Sequence, residues 1–271
     1  MFNKFGKRTL AGALFAIMAT SGAHAATYMQ DFDGFADGTT NLGDGSYFGG
    51  AASVQGGQLR LTQNGAYGQH STFWIGPLSG SSAGWSASFD YSISSDQGGY
   101  VGIPADGFSF NYGAIGAGQP STQGEEGYPT VTPNLSFEMD TWQNGTTEVG
   151  PAIAVNNTDV AGGFINGDIL AANSSIFGRI SISVAADGTV SFVSTGALTN
   201  ANFVDLATGF TLDDDLSFAF AARTGAATQT VLIDNLKVST LAPVPLPAAL
   251  PLLGGGVLLM GFVGRRRKRV S

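Results

Sequence analysis

Apolar residues recur at every second position in several short segments of this chain, and this alternation restricts the fold more than any other feature. Segment 179–196 (RISISVAADGTVSFVSTG) alternates apolar and polar residues on both sides of Asp187-Gly188. Successive side chains of a β-strand point to opposite faces, so this pattern is typical of strands with one buried face. The segment therefore predicts a β-hairpin with its turn at Asp187-Gly188.

Other segments repeat this pattern along the chain. Residues 86–94, 216–222 and 230–238 alternate in the same way, and Gly, Asn and Asp cluster between such segments. No helical period persists beyond a turn or two, and no repeat or internal linker is visible. The sequence predicts an all-β fold, an antiparallel β-sandwich. If the final strand returns beside the first, at 28–35, the sandwich closes as a jelly roll.

The first 25 residues have the three regions of a secretory signal peptide. Lys4, Lys7 and Arg8 precede the apolar run LAGALFAIMA, and small residues follow, ending in AHA. The apolar run is too short to span a bilayer comfortably. We therefore expect export, with cleavage between Ala25 and Ala26.

The other end of the chain predicts a single hydrophobic helix. Residues 244–263 are uncharged and mostly apolar. At about 1.5 Å per residue such a helix is about 30 Å long, the thickness of a hydrocarbon core. The basic cluster 265–269 follows directly, and the positive-inside rule keeps it in the cytoplasm, with the body outside. Prolines and glycines within the span make it a poor permanent helix.

Residues 242–271 together resemble a PEP-CTERM sorting signal of the variant with the motif VPLPA, which here runs from Val244 to Ala248. In that family an exosortase-type membrane protease processes the signal, in Gram-negative bacteria that make extracellular polysaccharide. The resemblance implies transient inner-membrane anchoring, cleavage near the motif, and delivery to the cell surface or extracellular matrix. A plain C-terminal membrane anchor is the alternative.

The body of the chain, residues 26–241, is strongly acidic. It contains all 20 acidic residues, and its only basic residues are Arg60, Arg179, Arg223 and Lys237. Nucleic acid is excluded as an expected partner, because phosphate binding needs a basic patch. An acidic surface attracts divalent cations instead. The chain has no cysteine, so one large hydrophobic core must stabilise the exported body without disulfides.

Two carboxylates lie close together in segment 135–145 (LSFEMDTWQNG). Strand alternation places Phe137 and Met139 towards the core, and Glu138 and Asp140 together on the opposite face, about 7 Å apart. Like charges at this distance repel unless water or a cation lies between them. Ca²⁺ binds carboxylate, amide and backbone carbonyl oxygens, all of which this segment contains. The residues alone leave two interpretations open: a Ca²⁺ site, or a hydrated outer face with two unpaired acids.

A second segment carries an acidic residue at the start of a strand. In 105–113 (ADGFSFNYG), Asp106 precedes alternating phenylalanines. The glycine-rich segment 114–130 (AIGAGQPSTQGEEGYPT) follows, and it is too long for a simple connection between strands. Such loops commonly carry binding functions.

These segments together resemble the legume-type (L-type, concanavalin A-like) lectins. In that family a strand of the form ADG-x-x-F carries the sugar-binding aspartate, and a later strand of the form E-F-D-T-[YF]-x-N carries the metal site and a sugar-binding asparagine. Here ADGFSF begins at Ala105 and EMDTWQN spans Glu138 to Asn144. The end of the body, 218–238, is similar to the family's closing loop and strand. The resemblance covers most of 28–240 and implies a concanavalin A-like jelly roll.

Carried over residue by residue, the resemblance implies that Asp140 binds Ca²⁺ with its carboxylate, Trp142 with its backbone carbonyl and Asn144 with its side-chain amide. Asp106 and Asn144 are then expected to hydrogen-bond sugar hydroxyl groups. Such a site combines placed polar groups with a metal that fixes them in position.

The resemblance also gives a wider set of binding candidates. Gly124 or Gly127 is expected to offer a backbone N–H to the same sugar. Arg223 and Thr224 lie in the segment that borders the pocket in the family. A turn or surface role is the alternative for each of them.

The match to the family's metal site is incomplete. The positions of a second aspartate and a histidine of the transition-metal site hold Val149 and Ala154 here. We therefore expect a Ca²⁺-only site, which adds Glu138 and Glu148 to the ligands above.

Two other functions compete with a lectin. Laminarinase-type glycoside hydrolases share the jelly roll, but their second catalytic glutamate falls at Trp142 or Gln143 here, so the carboxyl pair that retaining hydrolysis needs is broken. A structural matrix protein without a specific ligand is the other alternative. The sequence favours a non-enzymatic, surface-sorted, Ca²⁺-dependent protein that binds a polysaccharide or glycan.

Overall fold

The computed structural model describes residues 25–95, 104–118, 126–142, 149–162, 175–196 and 202–241. Residues 1–24 of the predicted signal peptide and the whole predicted sorting signal, 242–271, lie outside these ranges. Among the described residues, no helix has both the length and the apolar character needed to cross a bilayer.

Strands dominate the described part of the chain, and its only helical element is a 3-10 turn at Ser81–Ala83. The strands are β1 (Thr27–Gln30), β2 (Tyr47–Gly50), β3 (Ser53–Gln55), β4 (Gln58–Thr62), β5 (His70–Ile75), β6 (Gly84–Ser94), β7 (Gly107–Gly113), β8 (Asn134–Asp140), β9 (Gly150–Val155), β10 (Thr158–Gly162), β11 (Ser175–Ala185), β12 (Thr189–Ser194), β13 (Phe203–Ala207), β14 (Ser217–Arg223) and β15 (Thr230–Thr240).

The strands form two antiparallel sheets. The back sheet has eight strands in the order β13-β12-β11-β6-β15-β4-β3, with β1 added beside β15. The front sheet has seven strands in the order β10-β9-β8-β7-β14-β5-β2. Strands that are far apart in sequence lie side by side in both sheets, as in a sandwich of Greek-key type.

The structure confirms the predicted jelly-roll closure and the predicted hairpin. The first strand pairs with the last, with Tyr28 opposite Val238. In the hairpin of β11 and β12, Val184 lies opposite Val190, and the Gly188 N–H donates to the Ala185 carbonyl at 2.9 Å across the turn.

Aromatic side chains from both sheets fill the core between them. Trp85 of the back sheet is 1% exposed and lies edge-on to Phe110, Phe137 and Phe218 of the front sheet, with ring centroids 5.1 to 6.2 Å apart. Edge-to-face packing of this kind stabilises a core beyond the burial of apolar area alone. These aromatic residues occupy the inward positions of their strands, so the neighbouring side chains along each strand point outward, away from this core.

Replacement of Trp85 tests this account of the core. We expect Trp85→Ala to lower the free energy of unfolding by about 3–5 kcal/mol, because it removes a large buried ring and leaves a cavity. Trp85→Phe should cost less, because it keeps most ring contacts. It also removes an indole N–H that has no hydrogen-bond partner among the described residues. Urea unfolding measures both changes, and equal stabilities of Trp85→Ala and the parent would contradict the account.

Candidate functional site

The main chain of the front sheet places Asp106 beside Asp140. Asp106 directly precedes β7, whose first residue, Gly107, lies opposite Asp140 of β8 and opposite Arg223 of β14. The Asp106 N–H donates to the Arg223 carbonyl, and the Thr141 N–H donates to the Asp106 carbonyl, both at 3.2 Å. The two carboxylates therefore sit at one end of the front sheet, at 7% and 8% residue exposure.

Gly107 explains why glycine follows the aspartate in this strand. Its φ is +133°, which other residues rarely adopt. A Cβ at this position would lie 3.1 Å from the carbonyl carbon of Met139 and 3.2 Å from the Cα of Asp140, with the Met139 oxygen closer still. The absence of a side chain thus lets β7 approach β8 at the end of the sheet that carries Asp106 and Asp140.

Arg223 provides the positive charge beside Asp106. Its Nε lies 3.7 Å from Asp106 Oδ2, and the Arg223 side chain is partly exposed whereas the Asp106 side chain is largely buried. Gly225 follows on the other side, where an added Cβ would lie 3.5 Å from both Asp106 carboxylate oxygens. The loop after β14 therefore borders the Asp106 carboxylate closely.

Asp140 is oriented by the backbone that follows it. Its Oδ1 accepts the Trp142 N–H at 2.7 Å, which turns the chain out of β8. A short hydrogen bond of this kind fixes the orientation of the carboxylate. Trp142 itself is half-buried.

A buried hydrogen-bonded pair of side chains connects the turn after β8 to the loop between β14 and β15. The Thr141 hydroxyl donates to Gln229 Oε1 at 2.7 Å, and both residues are buried. Sequence reasoning missed this pair, because the two residues are 88 positions apart. Together with the backbone bond from Thr141 to Asp106, it holds the segment after Asp140 against the loop after β14.

Gly127 and Thr224 lie near this end of the sheet, and each is packed closely. Gly127 has φ +72°, and a Cβ there would lie 2.8 Å from the Ala222 carbonyl carbon, so only glycine fits. Thr224 is buried; its hydroxyl donates to the Ala66 carbonyl at 2.8 Å and accepts the Gln69 N–H at 3.0 Å. Thr224 therefore fastens the loop before β5 to the loop after β14, and its sugar-binding role stays a prediction.

Glu138 occupies a separate acidic environment. It faces outward from the front sheet, as the alternation predicted, and it is 5% exposed. Burial, followed by the negative charges of Glu126 and Asp159, raises its pKa to about 9. Burial also raises the pKa of Tyr128, and its acidic neighbours Glu138, Glu126 and Asp159 act in the same direction. Sequence reasoning missed Glu126 and Asp159 as its neighbours, because they come from a loop and from β10.

A ladder of buried polar side chains runs along the outward face of the front sheet towards Glu138. Asn134 Nδ2 donates to Ser136 Oγ at 2.8 Å, Ser136 Oγ donates to Asn111 Oδ1 at 2.7 Å, and Asn111 Nδ2 donates to Ser109 Oγ at 2.9 Å. The Ser109 hydroxyl then donates to the Glu126 carbonyl at 3.3 Å. Glu126 therefore packs on this face, and Glu138 and Asp140 are buried. Their burial disagrees with the hydrated outer face that was one of the two interpretations of the sequence.

The metal site was predicted from five residues, of which the structure describes Glu138, Asp140 and Trp142. Asn144 and Glu148 lie outside the described residues, as does Gly124 of the predicted sugar site. Within the described ranges, no group of three or more His, Cys, Asp or Glu side chains could hold a metal ion. The donors that are described are carboxylate and carbonyl oxygens, which suit Ca²⁺ rather than a transition metal.

The fold is that of the legume lectins. Peanut lectin superposes with a TM-score of 0.59 at 14% sequence identity, covering 82% of this chain and 100% of the lectin. The Bauhinia forficata lectin in complex with GalNAc gives 0.59 at 15% identity, covering 81% and 99%. The metal-free form of lectin I-B4 from Griffonia simplicifolia gives 0.56 at 15%, covering 80% and 100%.

These structures confirm the predicted concanavalin A-like jelly roll. The similarity lies in the fold and not in the sequence, since the identities are low. No protein-family model matches the chain, and no curated protein sequence matches it either.

The raised pKa of Glu138 predicts how stability depends on pH. Between its ordinary pKa of 4.5 and its folded pKa of about 9, the folded chain keeps a proton that the unfolded chain releases. The free energy of unfolding therefore falls as pH rises through this window. Glu138→Gln should flatten the fall and stabilise the protein above pH 8.

Urea unfolding from pH 4 to 9.5 measures this effect, with a chelator present to keep cations away from the carboxylates. Asp205→Asn, which neutralises an exposed acid on β13, is the matched control and should keep the parent's pH profile. Parallel profiles for Glu138→Gln and the parent would show that Glu138 ionises in the folded protein as it does in the unfolded chain.

Proposed function

We propose that this chain is a lectin-type protein that binds carbohydrate at the end of the front sheet where Asp106, Asp140 and Arg223 meet. The observation that carries the proposal is the main-chain register that places Gly107 between Asp140 and Arg223. It brings together a carboxylate acceptor, a guanidinium donor and a second carboxylate from three neighbouring strands. Vicinal sugar hydroxyl groups both donate and accept hydrogen bonds, so a mixed set of this kind suits them.

Each described side chain has a defined part in this proposal. The Asp106 carboxylate accepts hydrogen bonds from the sugar, and the Arg223 guanidinium, whose Nε lies 3.7 Å from Asp106 Oδ2, offers hydrogen-bond donors beside it. The half-buried Trp142 offers apolar surface beside Asp140 for a sugar ring. The loop glycine Gly127 lets its segment approach β14 closely enough to border the same end.

We further propose that Ca²⁺ orders this end of the sheet. The proposed ligands are the backbone carbonyl of Trp142 and the side chains of Glu138, Asp140, Asn144 and Glu148. Each of them offers an oxygen atom to the ion. When bound, the ion would neutralise the carboxylates and fix the segment that presents Asn144. The buried Oε1 of Glu138 has no hydrogen-bond partner among the described residues, which favours a ligand there.

The similar fold of the Bauhinia forficata lectin, solved in complex with GalNAc, supports binding of a carbohydrate rather than its hydrolysis. Retaining hydrolysis needs two carboxyl groups about 5–5.5 Å apart. This chain has Trp142 and Gln143 where the second one is needed. We therefore propose a binding protein that is not an enzyme.

The proposed location is the cell surface or the extracellular matrix. It rests on the predicted signal peptide and on the resemblance of residues 242–271 to a VPLPA-type sorting signal, which implies transient inner-membrane anchoring and processing by an exosortase-type protease. Removal of residues 1–25 would leave β1 intact, with Ala26 bonded to Thr240 at the end of β15. A polysaccharide or glycan of that surface is the proposed partner.

Calorimetric titration tests the proposed function. The protein should bind Ca²⁺, and a glycan panel should include at least one glycan whose binding requires Ca²⁺. Asp140→Ala should abolish Ca²⁺ binding and the Ca²⁺-dependent glycan binding, because it removes a metal ligand. Asp106→Asn should weaken the Ca²⁺-dependent glycan binding at least about a hundredfold, because an acceptor charge in the site is lost.

Asp205→Asn is the matched control for a lost aspartate charge and should bind both ligands like the parent. Glycan turnover in the same samples would favour a hydrolase. A folded protein that binds no glycan with or without Ca²⁺ would favour a structural matrix protein and refute the proposal.

A further inference from the structure

The outward face of the back sheet carries a row of polar side chains that crosses four strands. Arg179 of β11 lies opposite Asp90 of β6, and Asp90 lies opposite Asp234 of β15. Gln58 of β4 continues the row, donating from Nε2 to Asp234 Oδ2 at 3.3 Å. Most outward positions around this row hold serine or threonine, so the concentration of charged and amide groups here is local.

Hydrogen bonds hold this row in one arrangement. Arg179 Nη1 donates to Asp90 Oδ1 at 2.8 Å, and Asn235 Nδ2 donates to Asp90 Oδ2 at 2.8 Å. Asn235 has a positive φ of 48° at an irregularity in β15, where its own N–H donates to Asp234 Oδ1 at 2.6 Å. The backbone of β15 thus departs from regular pairing where it presents these groups, and the polar side chains are positioned before any ligand arrives.

Two depressions adjoin Arg179 on this face. One has a volume of about 450 Å³ and is lined by residues that include Met29, Asp31 and Lys237. The other has a volume of about 530 Å³ and is lined by residues that include Phe177 and Asp234. Both volumes fall within the range of small-molecule sites, and Arg179 borders both.

Phe177 supplies an aromatic surface in the second depression. It is 75% exposed, on the strand position next to Arg179 on the same face. Phe177 lies opposite Ser92 of β6, and Ser92 lies opposite Leu232 of β15. Phe177 and Leu232 therefore add apolar surface beside the polar row. An exposed aromatic ring next to fixed donors and acceptors matches a ligand that has apolar faces and hydroxyl edges.

We propose that these two depressions form a second saccharide-binding surface, which takes a neutral oligosaccharide chain lying across Arg179 with one ring against Phe177. The chemistry selects a neutral chain, because Asp31, Asp90 and Asp234 outnumber Arg179 and Lys237 and would repel an anionic polymer. The surface lies on the opposite sheet from the Asp106 end, so it does not depend on the function proposed for that end.

The composition of the face disfavours a second copy of this chain as the occupant. Stable homodimer interfaces have an apolar core, in which charged residues are depleted. Here charged and amide groups occupy the middle of the face and serines surround them: Ser86, Ser88, Ser92, Ser94, Ser181 and Ser183. Hydroxyl-rich, hydrated surfaces of this kind suit a polyhydroxylated ligand better than a protein core.

The experiment uses the Asp106→Asn/Asp140→Ala protein, in which the front-sheet site is disabled, and titrates it with cellotetraose, xylotetraose and mannotetraose. At least one of these should bind. Adding Phe177→Ala should weaken that binding about tenfold or more, because the ring buries its apolar face against the sugar. Val193→Ala, which truncates an exposed apolar residue outside both depressions, is the matched control and should leave binding unchanged.

The other possible results of these titrations have distinct meanings. If the double variant binds none of the three oligosaccharides, or if Phe177→Ala binds them as tightly as its parent, the second surface is refuted. A change in sedimentation, without a change in saccharide binding, would show that Phe177 contacts a second copy and would also refute the proposal. Loss of all saccharide binding in Phe177→Ala alone would support the second surface and refute the front-sheet site.

Discussion

The pairing of β7 between β8 and β14 is the constraint on which the rest of the candidate site depends. Backbone hydrogen bonds from Asp106 to Arg223 and from Thr141 to Asp106 tie three strand ends together. They fix the relative positions of the acidic and basic side chains without relying on side-chain contacts. Backbone pairing of this kind is rigid, and rigid elements hold binding groups more accurately than loops do.

The two faces of the front sheet are stabilised in different ways. Its inward face packs phenylalanines around Trp85 and supplies the hydrophobic stabilisation that a chain without disulfides needs. Its outward face is also buried at β7 and β8, but with Ser109, Asn111 and Ser136 in a continuous hydrogen-bonded ladder that ends at the Glu126 carbonyl. Buried polar groups are costly unless they are satisfied, so this ladder specifies where Glu126 lies.

Much of the fold follows from local patterns in the sequence. Alternation predicts the strands, because each has one face in the core, and Asp187-Gly188 predicts the turn between β11 and β12. Alternation also predicts that the side chains of Glu138 and Asp140 lie on the same face of β8. The sequence does not show that Glu138 meets Glu126 and Asp159, or that Thr141 meets Gln229, because those contacts depend on which strands and loops become neighbours. Sheet order is set by long-range packing, which no local pattern encodes.

The same reasoning explains why the sequence does not predict the polar row on the back sheet. Arg179, Asp90 and Asp234 lie in three separate segments, and each alone is typical of a solvated strand position. Only the strand order β11-β6-β15-β4 aligns them. By contrast, the proximity of Asp106 and Asp140 was predicted because the motifs ADGFSF and EMDTWQN resemble those of a family whose strand order is known. Function-bearing contacts between distant segments are therefore visible from sequence only through such a resemblance.

The most direct measurement of the central claim is a crystal structure of the protein grown with calcium chloride and soaked with its tightest-binding saccharide. The account predicts a cation within about 2.3–2.6 Å of an Asp140 carboxylate oxygen. It also predicts a saccharide hydroxyl group within about 3.2 Å of the Asp106 carboxylate. A saccharide bound only away from Asp106, or a cation bound away from Asp140, would contradict it.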